Sequence, residues 1–146
     1  MRTRVLPRTQ LRAGLLLAVT LTACGRTMNS SLTGTSPSAV PDVFECVKNQ
    51  LKALGYSQTS IDAEANRIAA KKYDETVRRP DTQFRRMVDR LEIEIAPGAE
   101  GAVTTLEVTA RTFAELTTQR GPTEQQERTS VQADSAAQAV VQQCGR

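Results

Sequence analysis

LEIEI, residues 91–95, alternates apolar and acidic side chains at period two. Successive side chains of a β-strand point to opposite faces, so this stretch reads as a strand with one buried and one wet face. Leu106-Glu107-Val108-Thr109-Ala110 repeats the pattern, and Pro97-Gly98-Ala99-Glu100-Gly101 supplies turn chemistry between the two. The pair is an antiparallel hairpin with Leu91, Ile93, Ile95, Leu106 and Val108 on its inner face. Glu92, Glu94, Glu107 and Arg111 fall on the outer one. A lone hairpin is marginal in water and needs further strands or helices over its apolar face.

Helical periodicity appears on both sides of the hairpin. Val43, Val47, Leu51 and Leu54 recur at three- to four-residue spacing after the capping-box-like Asp42-Val43-Phe44-Glu45, and Gly55 can end the helix, giving a span of about 42–54. Ala133, Ala136, Ala137, Val140 and Cys144 form a second stripe, beginning after Thr123 or Ser130 and closed by Gly145. Residues 56–74 fit two readings. AEANRIAAKKYDE favours a helix by composition, whereas a turn near Ile61–Asn66 followed by a strand from Arg67 to Tyr73 would give a strand pair. The strand pair is preferred because it widens the sheet the helices can cover. Residues 75–84 and 114–123 read as loops. The expected fold class is α+β, with two helices packed on one face of a small antiparallel sheet in the order α-β-β-β-β-α. With three Phe, two Tyr and no Trp, the core must be built from Val, Ile, Leu and Ala.

The N-terminus has a different character. Arg2, Arg4, Arg8 and Arg12 precede AGLLLAVTLTA, residues 13–23, which is too short to span a bilayer but fits the apolar core of an export signal. Leu21-Thr22-Ala23-Cys24 then resembles the lipobox of bacterial lipoproteins. The resemblance covers residues 1–24 and implies a signal peptide over 1–23. It also implies a diacylglyceryl and acyl modification (palmitate among the possible chains) on Cys24, and attachment to a membrane through lipid alone. Two or more acyl chains give stable anchoring, each buried methylene adding about 0.8 kcal/mol. Gly25 stands where an aspartate would resemble the inner-membrane retention signal of enteric bacteria, so the outer membrane, facing the periplasm, is the favoured location. The Ser-, Thr-, Gly- and Pro-rich residues 25–41 read as the rest of a lipidated flexible tether over 24–41, with a mean span of about 20–25 Å. A single domain over 42–146 remains. In an oxidising compartment Cys46 and Cys144, near the two ends of that domain, read as a disulfide. Two free buried thiols are the other reading. Antiparallel helices would bring the two cysteines together.

Charge and residue type narrow the chemistry. The formal charge of +3 includes the four leader arginines; without them 15 basic residues face 16 acidic ones, which removes the basic-domain argument for nucleic-acid binding. The chain contains no histidine, so Ser-His and Cys-His nucleophile pairs and histidine-ligated metals are excluded. No metal site or cofactor is expected. Glu92 and Glu94 share a strand face as a glycosidase pair might, but their alternation with Leu and Ile marks a solvated sheet face. One cluster stands apart. Lys71, Lys72, Arg78, Arg79, Arg85, Arg86 and Arg90 fall within twenty residues, interspersed with Asp74, Glu75, Asp81 and Asp89. They form either a basic contact surface for anionic headgroups or an acidic partner, or a solvated loop. The expected role is a non-enzymatic interaction or scaffold module with an envelope protein partner. The alternative is a carrier of a small apolar ligand held between helices and sheet.

Overall fold

The computed structural model describes residues 28–99 and 103–146. Among the described residues it is an α+β fold of two helices and a six-stranded antiparallel sheet, with elements β1 Asn29–Ser36, α1 Val40–Ala53, β2 Ser57–Asp62, β3 Arg67–Asp74, β4 Phe84–Pro97, β5 Thr104–Thr118, β6 Gly121–Glu127 and α2 Val131–Cys144. The strands run β1-β5-β4-β3-β2 across the sheet, and β6 pairs with β5 on the same edge as β1.

The central hairpin forms in the register that the alternation demands: Leu91 lies opposite Ala110, Ile93 opposite Val108 and Ile95 opposite Leu106. On the neighbouring strand Ile68 faces Ile93 and Ala70 faces Leu91, so these residues share one face. They join Val43, Phe44, Val47 and Leu51 of α1 and Ala133, Ala136, Ala137 and Val140 of α2 in a single core cluster. Small alanines along α2 let its backbone come close to its neighbours, which offsets the scarcity of aromatic volume. Residues 56–74 take the strand-pair reading, with β2 and β3 joined by a turn in which Asn66 adopts the left-handed conformation at φ 52°.

Four expectations are corrected. The order is β-α-β-β-β-β-β-α rather than α-β-β-β-β-α. Residues 29–36, read from composition as tether, form β1, paired with β5 from Asn29↔Arg111 to Ser36↔Thr104. Its small residues serve a close approach: a Cβ on Gly34 would lie 2.8 Å from Val141 Cγ1 and 3.3 Å from the Gly145 Cα. Within the expected 114–123 loop, β5 continues to Thr118 and β6 begins at Gly121. At α1 the helix starts at Val40, with Ala39 as its N-cap and no side-chain cap bond, so Asp42 sits in the first turn and the capping box is not used. Helix α2 follows the later of its two possible starts, and the Ser130 hydroxyl accepts from the Ala133 amide at 3.0 Å.

Candidate functional site

Cys24 and the leader lie outside the described residues. Cys46, in the second turn of α1, and Cys144, the last residue of α2, are joined by a disulfide with a Cα–Cα distance of 5.8 Å. The 98-residue separation is closed because the start of one helix meets the end of the other.

The seven basic residues of the 71–90 cluster divide among several places. Arg78, Arg79, Arg85 and Arg86 line one open cleft of about 400 Å³, with Glu75 and Phe84 beside them. Most of their charge is answered from within the protein. The Arg79 guanidinium donates to Glu127 at 2.6 Å and lies 4.7 Å from the Phe84 ring centroid. Arg85 and Arg86 both pair with the buried Glu115, at 3.1 and 3.2 Å, and Arg86 also reaches Glu75 at 3.3 Å. Arg86 stacks on Tyr73 at 3.6 Å. Arg78 donates to the backbone carbonyls of Glu75 and Val77. Arg90 is held by Glu124 at 2.6 Å, and Lys72 donates to the Leu54 carbonyl at 2.9 Å. Lys71 lies over Tyr73 at 5.0 Å. The cluster thus fastens the 75–83 loop and β6 to the sheet. The same bonds set the protonation equilibria there. The Arg79 hydrogen bond holds the Glu127 carboxyl below its ordinary range, and Glu127 in turn raises Arg79. The hydroxyl and amide of Thr76 lower Asp74.

Sequence reasoning missed a second polar group, which is buried. Asp89, only 6% exposed, accepts from the Thr112 hydroxyl at 2.6 Å and from the Ser130 hydroxyl at 2.9 Å. Thr112 Oγ1 in turn accepts from the Ser130 amide at 2.8 Å. A carboxylate among the positive ends of α2's first turn is favoured by the helix dipole. The Tyr56 hydroxyl lies buried nearby with no hydrogen-bond partner, and burial, followed by the Asp89 charge, pushes its phenol well above the ordinary range. A signal for Asp89 was present: it shares the odd-numbered parity of Leu91, Ile93 and Ile95, so it had to face inward. A groove of about 330 Å³ runs beside this group, walled by Leu54, Tyr56, Val131 and Ala136, with Lys72 at its side.

Glu92 and Glu94 are solvated, half-exposed side chains paired with Arg111 and Arg67 at 3.1 and 3.0 Å. Among the described residues no group of three or more Cys, Asp or Glu side chains could hold a metal ion, and no helix is long and apolar enough to cross a membrane. Neither a protein-family model nor a curated protein matches the chain.

Proposed function

We propose that this chain is an exported lipoprotein of the bacterial envelope, held by acyl chains on Cys24 and acting without catalysis as an interaction or scaffold module. Its residence is the periplasmic side of the outer membrane, and its partner is another envelope protein. The observation that carries the reading is positional: β1, the first described strand, begins at Asn29, five residues after the cysteine at which the lipobox resemblance starts the mature chain. The Cys46–Cys144 bond fits a compartment that oxidises thiols. The absence of histidine and the solvated, ion-paired state of the Glu92–Glu94 pair support a non-catalytic role. At the level of architecture, we read both helices as covering one sheet face, an arrangement supported by the shared parity of Ile68, Ile93 and Val108 and by their common cluster with helical residues.

The test is labelling with radioactive or alkyne-tagged fatty acid in a bacterial host, for the native chain and Cys24→Ser. Label and membrane retention are expected for the native chain and neither for the variant. Equal labelling of both overturns the anchor. Cross-linking in membranes followed by mass spectrometry tests the module. A recurrent envelope protein is expected, and a monomer that copurifies only a lipid-like molecule favours the second reading. That reading, a carrier of a small apolar ligand, is supported by the groove at Leu54, Tyr56 and Val131 with the Lys72 ammonium beside it.

A further inference from the structure

The groove beside Tyr56 is built from several elements. Leu54 follows α1, Tyr56 precedes β2, Lys72 stands on β3, and Val131 and Ala136 belong to the first turns of α2. Val131 is 76% exposed, more than any other large apolar side chain among the described residues, so this wall is open to an incoming molecule. The volume of about 330 Å³ lies at the small end of ligand sites, which run from about 300 to 1,000 Å³.

Lys72 puts a charge beside the apolar wall. It is the register partner of Asp89 across the β3–β4 ladder, yet it makes no ion pair among the described residues. Its acidic neighbours are committed elsewhere. Asp89 accepts from Thr112 and Ser130, and Asp74, two residues further along β3, accepts from Thr76. The Lys72 ammonium donates instead to the Leu54 carbonyl at 2.9 Å and lies 5.7 Å from the centroid of the Tyr56 ring. Gly55 leaves it room, since a Cβ there would stand 3.5 Å from Nζ. One backbone carbonyl does not exhaust the donors of an ammonium. A wholly apolar ligand would take water from that ammonium and put no acceptor in its place, which is unfavourable. An ionised acid at the same point makes a charge-assisted hydrogen bond.

We propose that this groove binds the anion of a single-chain amphiphile of the fatty-acid class, with its carboxylate on Lys72 and its chain along Val131 and Ala136. The assignment deepens the carrier reading of the groove and rests on it.

The probe is dodecanoate carrying a diazirine at the end of its chain, photolysed with the full chain in neutral detergent and mapped by mass spectrometry. Labels are expected on residues 131–136, and excess dodecanoate should remove them while dodecyltrimethylammonium does not. Lys72→Met, which keeps the apolar stem, and Val131→Ser should each lower labelling several-fold. Ile61→Ser, at a side chain 49% exposed on β2, should leave it unchanged. Circular dichroism checks that each variant is folded. Equal competition by dodecyltrimethylammonium, or full labelling of Lys72→Met, overturns the anionic head and leaves the carrier reading standing. Labels concentrated outside the groove overturn the site, again without touching the carrying of a ligand elsewhere. Labelling no stronger than that of urea-unfolded protein overturns the proposal and the carrier reading together.

Discussion

Asp89 is a buried carboxylate that ties β4 to β5 and to the head of α2. It orders Thr112 on β5 and Ser130 at the head of α2, so one carboxylate fixes both the cap and the seat of that helix. Asp89→Ala leaves two hydroxyls without their acceptor and should cost about 3 kcal/mol in urea unfolding, each stranded group contributing about 1–3 kcal/mol. Asp89→Asn keeps an acceptor and should cost less. Tyr56→Phe behaves in the opposite sense. Its buried hydroxyl has no partner, so its removal should leave stability unchanged or slightly raised in the same assay. Glu127 gives a pH-dependent case. Its folded-state pKa is lowered from 4.5, so its contribution is fully present above that value and is lost as pH falls through the lower folded value. A pair about one third exposed is worth about 0.5 kcal/mol after solvent screening. Unfolding of the native chain between pH 5 and 3 should therefore show a slightly steeper loss than that of Glu127→Gln.

Among the elements, β1 shows how packing sets composition. Residues Ser30, Leu32, Gly34 and Ser36 share the parity of the inner face, and the end of α2 lies against the last two: a Cβ on Gly34 would meet Val141 and Gly145, and the Ser36 hydroxyl donates to the Arg146 carbonyl. Gly34→Val should push β1 off Val141 and Gly145 and cost about 1–3 kcal/mol, read as an earlier thermal transition together with faster amide exchange over residues 29–36. The same feature explains what could be read in advance. The 91–95 and 106–110 strands announced themselves because β4 and β5 have one dry face and one wet face, and the helical stripes did so because Val47, Leu51 and Val140 must be buried. The strand at 29–36 carried a single large apolar residue, Leu32, so it lacked an alternation to detect. At 121–127, GPTEQQE is a polar edge strand of strongly solvent-facing residues, held by pairing with β5 and by Arg79 and Arg90. Its ion pairs involve residues more than thirty positions away, which local pattern does not report. The basic cluster was visible as a run of residues, but the acids that answer it, Glu115, Glu124 and Glu127, come from strands that only the fold brings near.

On the scale of the whole molecule, the disulfide ties the first helix to the last. Closing a loop of this length is worth about 4–5 kcal/mol in the chain-entropy account. The Cys46→Ser/Cys144→Ser double variant should fold to the same secondary structure by circular dichroism but unfold at markedly lower urea, and the native chain under strong reductant should match it. The sheet has a related property. Strand β5 is the hub, with β1 and β6 laid end to end along one of its sides, so partners 82 positions apart in sequence, such as Asn29 and Arg111, must find one another. High contact order of this kind slows folding, because the entropy of closing long loops is lost before native contacts form. A polypeptide delivered N-terminus first, from a ribosome or through a membrane pore, presents β1 and Cys46 long before either has a mate. The Cys46–Cys144 bond cannot close until the fourteen-residue α2 has emerged, so completion of this protein is a post-delivery event.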